Sequence, residues 1–170
     1  MEEWEQRKAG DLVVERNERG HEGLPILSVS IHSGISNGQQ SEGELGKYVR
    51  RSDDKTKYKC VYPGDVVFNM MRAWQGAIGT SSALGMVSPA YIVAKQKKPI
   101  DSKFLNYLLR LPQTIETINN LSYGVTDFRK RLYWDSFAKV QLILPNSLSE
   151  QGMISSLLTS LDKSVTLHQR

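Results

Sequence analysis

Pro63-Gly64-Asp65-Val66-Val67-Phe68-Asn69-Met70-Met71-Arg72-Ala73-Trp74-Gln75-Gly76 is the stretch on which the fold turns. Its first three residues are turn chemistry: proline presets φ, glycine accepts positive φ, and aspartate bonds to nearby backbone. Val66-Val67-Phe68 is a short β-favouring run without polar alternation, the pattern of a strand buried in a core. The stretch therefore predicts a turn feeding a core strand. Just beyond the strand come an amide, a guanidinium, an indole and a second amide, from Asn69, Arg72, Trp74 and Gln75. Arginine can bond guanine bidentately and Asn or Gln adenine, while an aromatic ring can stack on an unpaired base or touch a thymine methyl. Side-chain chemistry leaves two readings open. One is a base-reading loop; the other is a core anchor at Trp74 beside a merely exposed Arg72.

Upstream, Leu24 to Ile31 alternates apolar Leu27, Val29 and Ile31 with Ser28 and Ser30, the period of a half-buried strand. Ser28, Ser30 and His32 are weaker candidates for DNA contact, since a serine-lined face is equally explained by solvation. Ser33 to Gly46 holds Gly34, Gly38, Gly43 and Gly46 and reads as a long loop. Lys47, Arg50, Arg51, Lys55, Lys57 and Lys59 then face only Asp53 and Asp54, a local cationic excess. Such a stripe, led by Lys47, suits phosphates, because cations that displace condensed counterions supply sequence-independent affinity. A simply solvated face has the same composition.

Downstream, Ala77–Gly79 and Met86–Ala94 predict two more strands, the second at a sheet edge or bulged, because Pro89 cannot donate to a ladder. Phe104, Leu105, Leu108 and Leu109 recur at helical spacing, with Ser102 as cap, and Pro112 ends this helix or starts the next. Ile115, Ile118 and Leu121 continue a second helical face. Tyr123 to Arg131 places a glycine turn directly before Arg129, Lys130 and Arg131. A loop presenting Thr126, Arg129 and Arg131 can grip a phosphate and a base edge together, with Lys130 toward phosphate. The alternative is a solvated turn whose Tyr123 and Phe128 pack inward. Phe137 to Leu144 predicts a strand ending at Pro145. Ser147 and Glu150 stand at capping-box spacing, and Ile154, Leu158, Leu161, Val165 and His168 follow at alternating gaps of four and three. That spacing is a coiled-coil seam, although Leu157 widens it toward an ordinary amphipathic stripe.

The 170 residues fit one ordinary domain, and 39% hydrophobic with 24% charged residues is globular composition. A net charge of +4 is compatible with a polyanionic partner. The single cysteine, Cys60, leaves no internal disulfide and points to the reducing cytoplasm. No apolar run approaches the roughly 18 residues of a spanning helix, and the charged start is unlike a signal peptide, so no membrane partner is expected. Signatures of an enzyme are weak. Gly46-Lys47 fails as a phosphate loop because Ser41 and Tyr48 stand where glycine and a Ser or Thr are required. His21, His32 and His168 have no metal-ligand spacing with Cys60, and a Cys60–His32 nucleophilic pair has nothing local to recommend it. No cofactor is implied, and structural roles suit all four residues better.

Several ordered stretches resemble a target-recognition domain of type I restriction-modification specificity subunits. They begin with Trp4-Glu5-Gln6-Arg7-Lys8 and Gly10-Asp11. Gly64-Asp65-Val66-Val67 leading into Met71-Arg72-Ala73-Trp74-Gln75-Gly76-Ala77, and Val87-Ser88-Pro89-Ala90-Tyr91, are similar to the middle of that family. Trp134-Asp135-Ser136-Phe137, Leu144-Pro145, Glu150-Gln151 with Ile154, Leu161-Asp162 and Leu167-His168-Gln169-Arg170 resemble its close. The resemblance spans nearly the whole chain and lies in order and spacing rather than in any one motif.

It implies a non-catalytic reader of double-stranded DNA that takes one half of a split site and docks the methyltransferase subunit through long helices. Catalysis and the methyl donor then belong to partners, and the restriction subunit is met through the assembled complex. The expected fold is α+β: a twisted, β-rich recognition domain over residues 1–146 with flanking helices, then the start of a coiled-coil-type spacer or dimerisation helix over 147–170. A complete family member has two such domains and two long helices, so this chain reads as half of one, completed by a second copy through the terminal seam or by further sequence. A scaffold module without intrinsic DNA specificity is the alternative function, because the same seam supports it.

Overall fold

The computed structural model describes residues 3–37 and 55–169. Lys47, Arg50, Arg51, Gly38, Gly43 and Gly46 lie outside the described residues. The chain opens with strand β1 (Trp4–Lys8), the single-turn helix α1 (Ala9–Leu12) and strand β2 (Val13–Glu15). A hairpin of β3 (Leu27–Ser30) and β4 (Gly34–Asn37) follows, then β5 (Lys59–Val61) and β6 (Val66–Asn69). Strands β7 (Ile78–Thr80), β8 (Gly85–Val87) and β9 (Tyr91–Gln96) lead into helices α2 (Ser102–Leu109) and α3 (Pro112–Leu121). The single-turn helix α4 (Trp134–Phe137), strand β10 (Gln141–Pro145) and the 21-residue helix α5 (Leu148–His168) complete it. The class is the mixed α and β architecture expected from the sequence, with the long helix last.

β6 lies inside a four-stranded antiparallel sheet of order β2-β9-β6-β7. Its unbroken apolar run is explained by burial on both faces. Successive side chains of a strand point to opposite sides, and Val66 and Phe68 join one core while Val67 joins another. β9 divides in the same way, Ile92 and Ala94 to the first core and Val93 to the second. The first core is completed by Leu105, Leu109, Ile118 and Phe137 from the helices, with the Phe68 and Phe137 rings 4.8 Å apart. The second is completed by Leu27 and Val29 of β3, Val61 of β5 and Val87 of β8. β10 pairs antiparallel with β1, from Trp4 opposite Pro145 to Lys8 opposite Gln141, so the start of the chain is tied to the segment before α5.

Several boundaries differ from the sequence expectation. The strand over Met86–Ala94 is two strands, β8 and β9, separated by a turn at Pro89, and β9 is interior rather than at an edge. A proline lacks the donor that a continuous ladder needs, and breaking the strand there removes the conflict. Ser102 does not cap α2. Asp101 does, its carboxylate accepting from the Phe104 amide at 2.7 Å, while the Ser102 hydroxyl accepts from the Gln96 side chain. The strand expected from Phe137 begins only at Gln141, because Trp134–Phe137 forms α4 and the Phe137 ring reaches the core from there. The expected loop from Ser33 opens as β4, and the strand over Leu24–Ile31 is confined to Leu27–Ser30. Pro112 starts α3, at a position where a missing amide costs nothing.

The turn before β6 rests on Asp65, which is buried. Its carboxylate takes two bonds from the Arg16 guanidinium, at 2.8 and 3.1 Å, and one from the Tyr62 amide at 2.9 Å. Asp65→Ala takes away the guanidinium's buried partner, leaving it Glu18 at 3.4 Å, and should destabilise the fold by about 2 to 3 kcal/mol, seen as a thermal midpoint lowered by roughly 5 to 10 °C. An unchanged midpoint would show that the pair contributes nothing net.

Candidate nucleic-acid interface

The segment after β6 is a compact turn. The Asn69 side-chain oxygen accepts from the Met71 amide at 2.9 Å, and Ala73–Gln75 forms a 3-10 turn closed at Gly76. Gly76 has φ of 110°, a conformation side-chain-bearing residues rarely take. Ala73 is fully buried and fixes the turn to the core, while Arg72 and Gln75 point into solvent. Trp74 is half-buried against the first core, and its indole nitrogen donates to the Met71 carbonyl at 2.9 Å. Its outer face carries the Lys130 ammonium, 5.7 Å from the ring centroid.

That contact joins the two candidate loops. The Leu132 amide donates to the Met70 carbonyl at 2.8 Å, tying the end of the second loop to the first. The second loop is a closed hairpin: Tyr123 and Arg131 exchange both backbone bonds, at 3.1 and 3.0 Å, and the Arg129 amide bonds the Thr126 carbonyl at 2.8 Å. Thr126, Arg129 and Arg131 are exposed. Lys130 is half-buried and donates to the Asn119 side chain at 3.3 Å. The alternative in which Tyr123 and Phe128 pack inward does not hold. Both rings are exposed, Tyr123 lying against Tyr133 at 5.0 Å. Among the described residues, the ion pairs involve Arg7 and Arg16 and none of Arg72, Arg129 or Arg131.

Arg110, which the sequence reading passed over, holds the first loop from behind. Its guanidinium donates to the carbonyls of Gly76 (3.2 Å), Ile78 (2.9 Å), Ile31 (3.0 Å) and His32 (3.1 Å). It thereby fastens the turn at residues 69–76, β7 and the β3–β4 hairpin to the end of α2. Burial pushes its pKa down. The only local signal was a cation beside Leu111-Pro112, which reads as an ordinary helix end. Ser30 has a similar local role: its hydroxyl accepts from the Ser33 amide at 2.9 Å inside the hairpin turn. His32 is exposed and Ser28 half-buried. Of the cationic stripe, Lys55 and Lys57 are exposed in a 3-10 turn, Lys59 is drawn back onto the Tyr91 carbonyl at 2.9 Å, and Lys47 lies outside the described residues.

α5 leaves the body from a double anchor. Ser147 caps it by accepting from the Glu150 amide, and buried Gln151 bridges the Pro145 carbonyl and the Asp101 amide, at 2.8 and 2.9 Å. The Tyr107 hydroxyl donates to Asp162 at 2.6 Å, a bond to a carboxylate that raises the phenol's pKa. The predicted seam is divided. Ile154 packs on the chain's own core and Leu158 is half-buried, while Leu161 and Val165 are exposed, as is Leu157 beside them. Cys60 is buried in β5, away from solvent. Among the described residues no group of three or more His, Cys, Asp or Glu could hold a metal ion, and no helix is long and apolar enough to cross a membrane.

These features define a mixed α and β domain with a pair of cationic loops at one end of its central strand and a long helix after its last strand. That is the fold of the specificity subunits of type I restriction-modification systems. The S subunit from M. genitalium superposes with a TM-score of 0.62 at 14% identity, over 95% of this chain and 40% of that one. The HsdS subunit from Thermoanaerobacter tengcongensis gives 0.56 at 14% identity, over 96% and 38%. A structure from work on complex assembly and conformational transition of the type I R-M system gives 0.62 at 12% identity, over 98% and 44%. The chain thus spans about two fifths of the length of the structures it matches. No protein-family model and no curated protein matches the sequence.

Arg110→Met leaves four carbonyls without their shared donor. It should destabilise the fold by about 2 kcal/mol or more and lower the thermal midpoint by roughly 5 °C. Arg110→Lys should fall between the two, since an ammonium cannot span the same fork. A lysine variant as stable as the parent would reduce the fan to a point charge.

Proposed function

We propose that the chain reads DNA sequence without catalysing a reaction, as one recognition domain of a type I specificity subunit. The observation that carries this is the joining of two separate cation-bearing loops through the Met70–Leu132 bond and the Lys130–Trp74 contact, on a fold shared with S subunits. Arg72 and Gln75 on the first loop, with Thr126, Arg129 and Arg131 on the second, are the groups assigned to base edges and phosphates. Asn69 and Trp74 then act chiefly by holding the first loop in shape, and Lys130 by bracing the two loops. Residues 1–146 are the reader and 147–170 the start of a spacer helix. On this reading the domain takes one half of a split site in double-stranded DNA, in the cytoplasm, and docks the methyltransferase subunit through α5, with the restriction subunit joining the assembled complex.

A scaffold without DNA specificity is the second reading. It is favoured by exposed Leu157, Leu161 and Val165, an apolar stripe suited to another helix, a second copy of this chain included. The deciding experiment is purification with a type I methyltransferase subunit, followed by selection of bound duplexes from a random pool. A short asymmetric half-site is the expected product; an unenriched pool would favour the scaffold.

With that half-site in hand, Arg72→Ala should relax choice at one base pair at a cost of about 1 to 3 kcal/mol. Lys47→Ala should instead weaken cognate and random duplexes alike and reduce the salt slope by about one. Both are read by fluorescence anisotropy across a salt series, and equal losses on both duplexes for Arg72→Ala would make it a phosphate contact.

A further inference from the structure

The loop that closes on itself between Tyr123 and Arg131 carries an apolar tip that the reading above does not use. Phe128 is 100% exposed and Val125 91%, more than any other large apolar side chain among the described residues. The exposure is built into the loop. The paired backbone bonds of Tyr123 and Arg131 close its neck, the Arg129 amide bonds the Thr126 carbonyl within it, and Asp127–Arg129 forms a 3-10 turn that carries Phe128 at its middle. A Cβ on Gly124 would lie 2.2 Å from the Arg129 carbonyl oxygen, so the loop's two sides approach as closely as only glycine allows. The neck rests on the Tyr123–Tyr133 ring contact and on the Leu132–Met70 bond, which fixes it beside the turn bearing Arg72.

Fully exposed Phe128 shares its short loop with Val125 and with exposed Arg129 and Arg131, and an apolar side chain set among cations is a recurring way of binding DNA. A partner matching both features offers flat apolar faces stacked between rows of anions, which describes duplex DNA. We propose that Phe128 enters the base stack of duplex DNA as a wedge, with Val125 beside it and Arg129 and Arg131 on the flanking phosphates. This rests on the DNA-reading function above. Apolar side chains that enter a base step unstack it and kink the duplex, at a cost that is lowest for flexible pyrimidine–purine steps. The wedge would therefore select such a step without hydrogen-bonding either base.

The probe is the duplex recovered by the selection described above, with each adenine replaced in turn by 2-aminopurine, whose fluorescence rises when it is unstacked. With the whole chain at saturation, one step should brighten several-fold. Phe128→Ala should abolish that signal and weaken binding by about five-fold or more with an unchanged salt slope, and Phe128→Leu should retain part of it. Because the ring touches no core, the thermal midpoint of both variants should equal the parent's. Saturated binding with no position brightened, or equal brightening by Phe128→Ala, overturns the wedge while leaving DNA reading intact. Intact DNA affinity in Phe128→Ala with lost co-purification of the methyltransferase subunit overturns it in favour of a protein contact. Absence of any duplex binding by the parent chain overturns the DNA-reading function itself.

Discussion

One guanidinium organises the face on which the candidate interface is built. Arg110, at the end of α2, reaches carbonyls on three separate segments: the β3–β4 hairpin at Ile31 and His32, the turn after β6 at Gly76, and β7 at Ile78. Three of those carbonyls, of Ile31, His32 and Gly76, lie in or beside turns and the fourth opens β7, and a buried acceptor without a donor is costly. A guanidinium is suited to the task because its donors diverge in a rigid plane. Among the described residues no carboxylate pairs with it. The same group that settles the backbone therefore adds positive potential beside the turn carrying Arg72.

The central strand sets what that turn can present. β6 is buried on both faces, so its end emerges between the two cores with little freedom, and Asn69 and Ala73 fix the residues that follow. Inward and outward roles are then divided by position: Ala73 and Trp74 face the protein, Arg72 and Gln75 the solvent. The second loop is fastened to this one at Met70 rather than to a sheet of its own. The two loops consequently depend on each other for position, and Lys130 over the Trp74 ring adds a cation–π contact to the joint.

Much of this was legible in order along the chain. The turn at Pro63-Gly64-Asp65 and the core strand after it, the helical faces of α2 and α3, and the capped start of α5 all follow from local periodicity and local hydrogen bonding. The misread boundaries are places where two local signals competed. Asp101 and Ser102 both suit a cap, and the Gln96 side chain took the Ser102 hydroxyl for another bond. Phe137 has the side chain of a strand residue but lies in a helical turn started by Trp134. Both candidate loops were recognisable from the types and density of their side chains. Trp74 is ambiguous in sequence because an indole suits a core and a base equally well, and the structure sets it partly on the first core with Lys130 over its ring.

By itself the sequence determined the core strand β6, the helical faces of α2 and α3, the capped start of α5 and where cations concentrate, because periodicity, capping and charge act over a few residues. It also held, in the order of its motifs, the resemblance to specificity subunits. Only the tertiary structure decided that residues 69–76 and 123–131 share one joint, that Arg110 supports it, that Phe128 stands in solvent, and that α5 uses Ile154 for its own body while leaving Leu161 and Val165 uncovered. These are contacts between residues tens of positions apart. They exist because strand pairing and two-sided burial bring those residues together, and no short window of sequence carries that information.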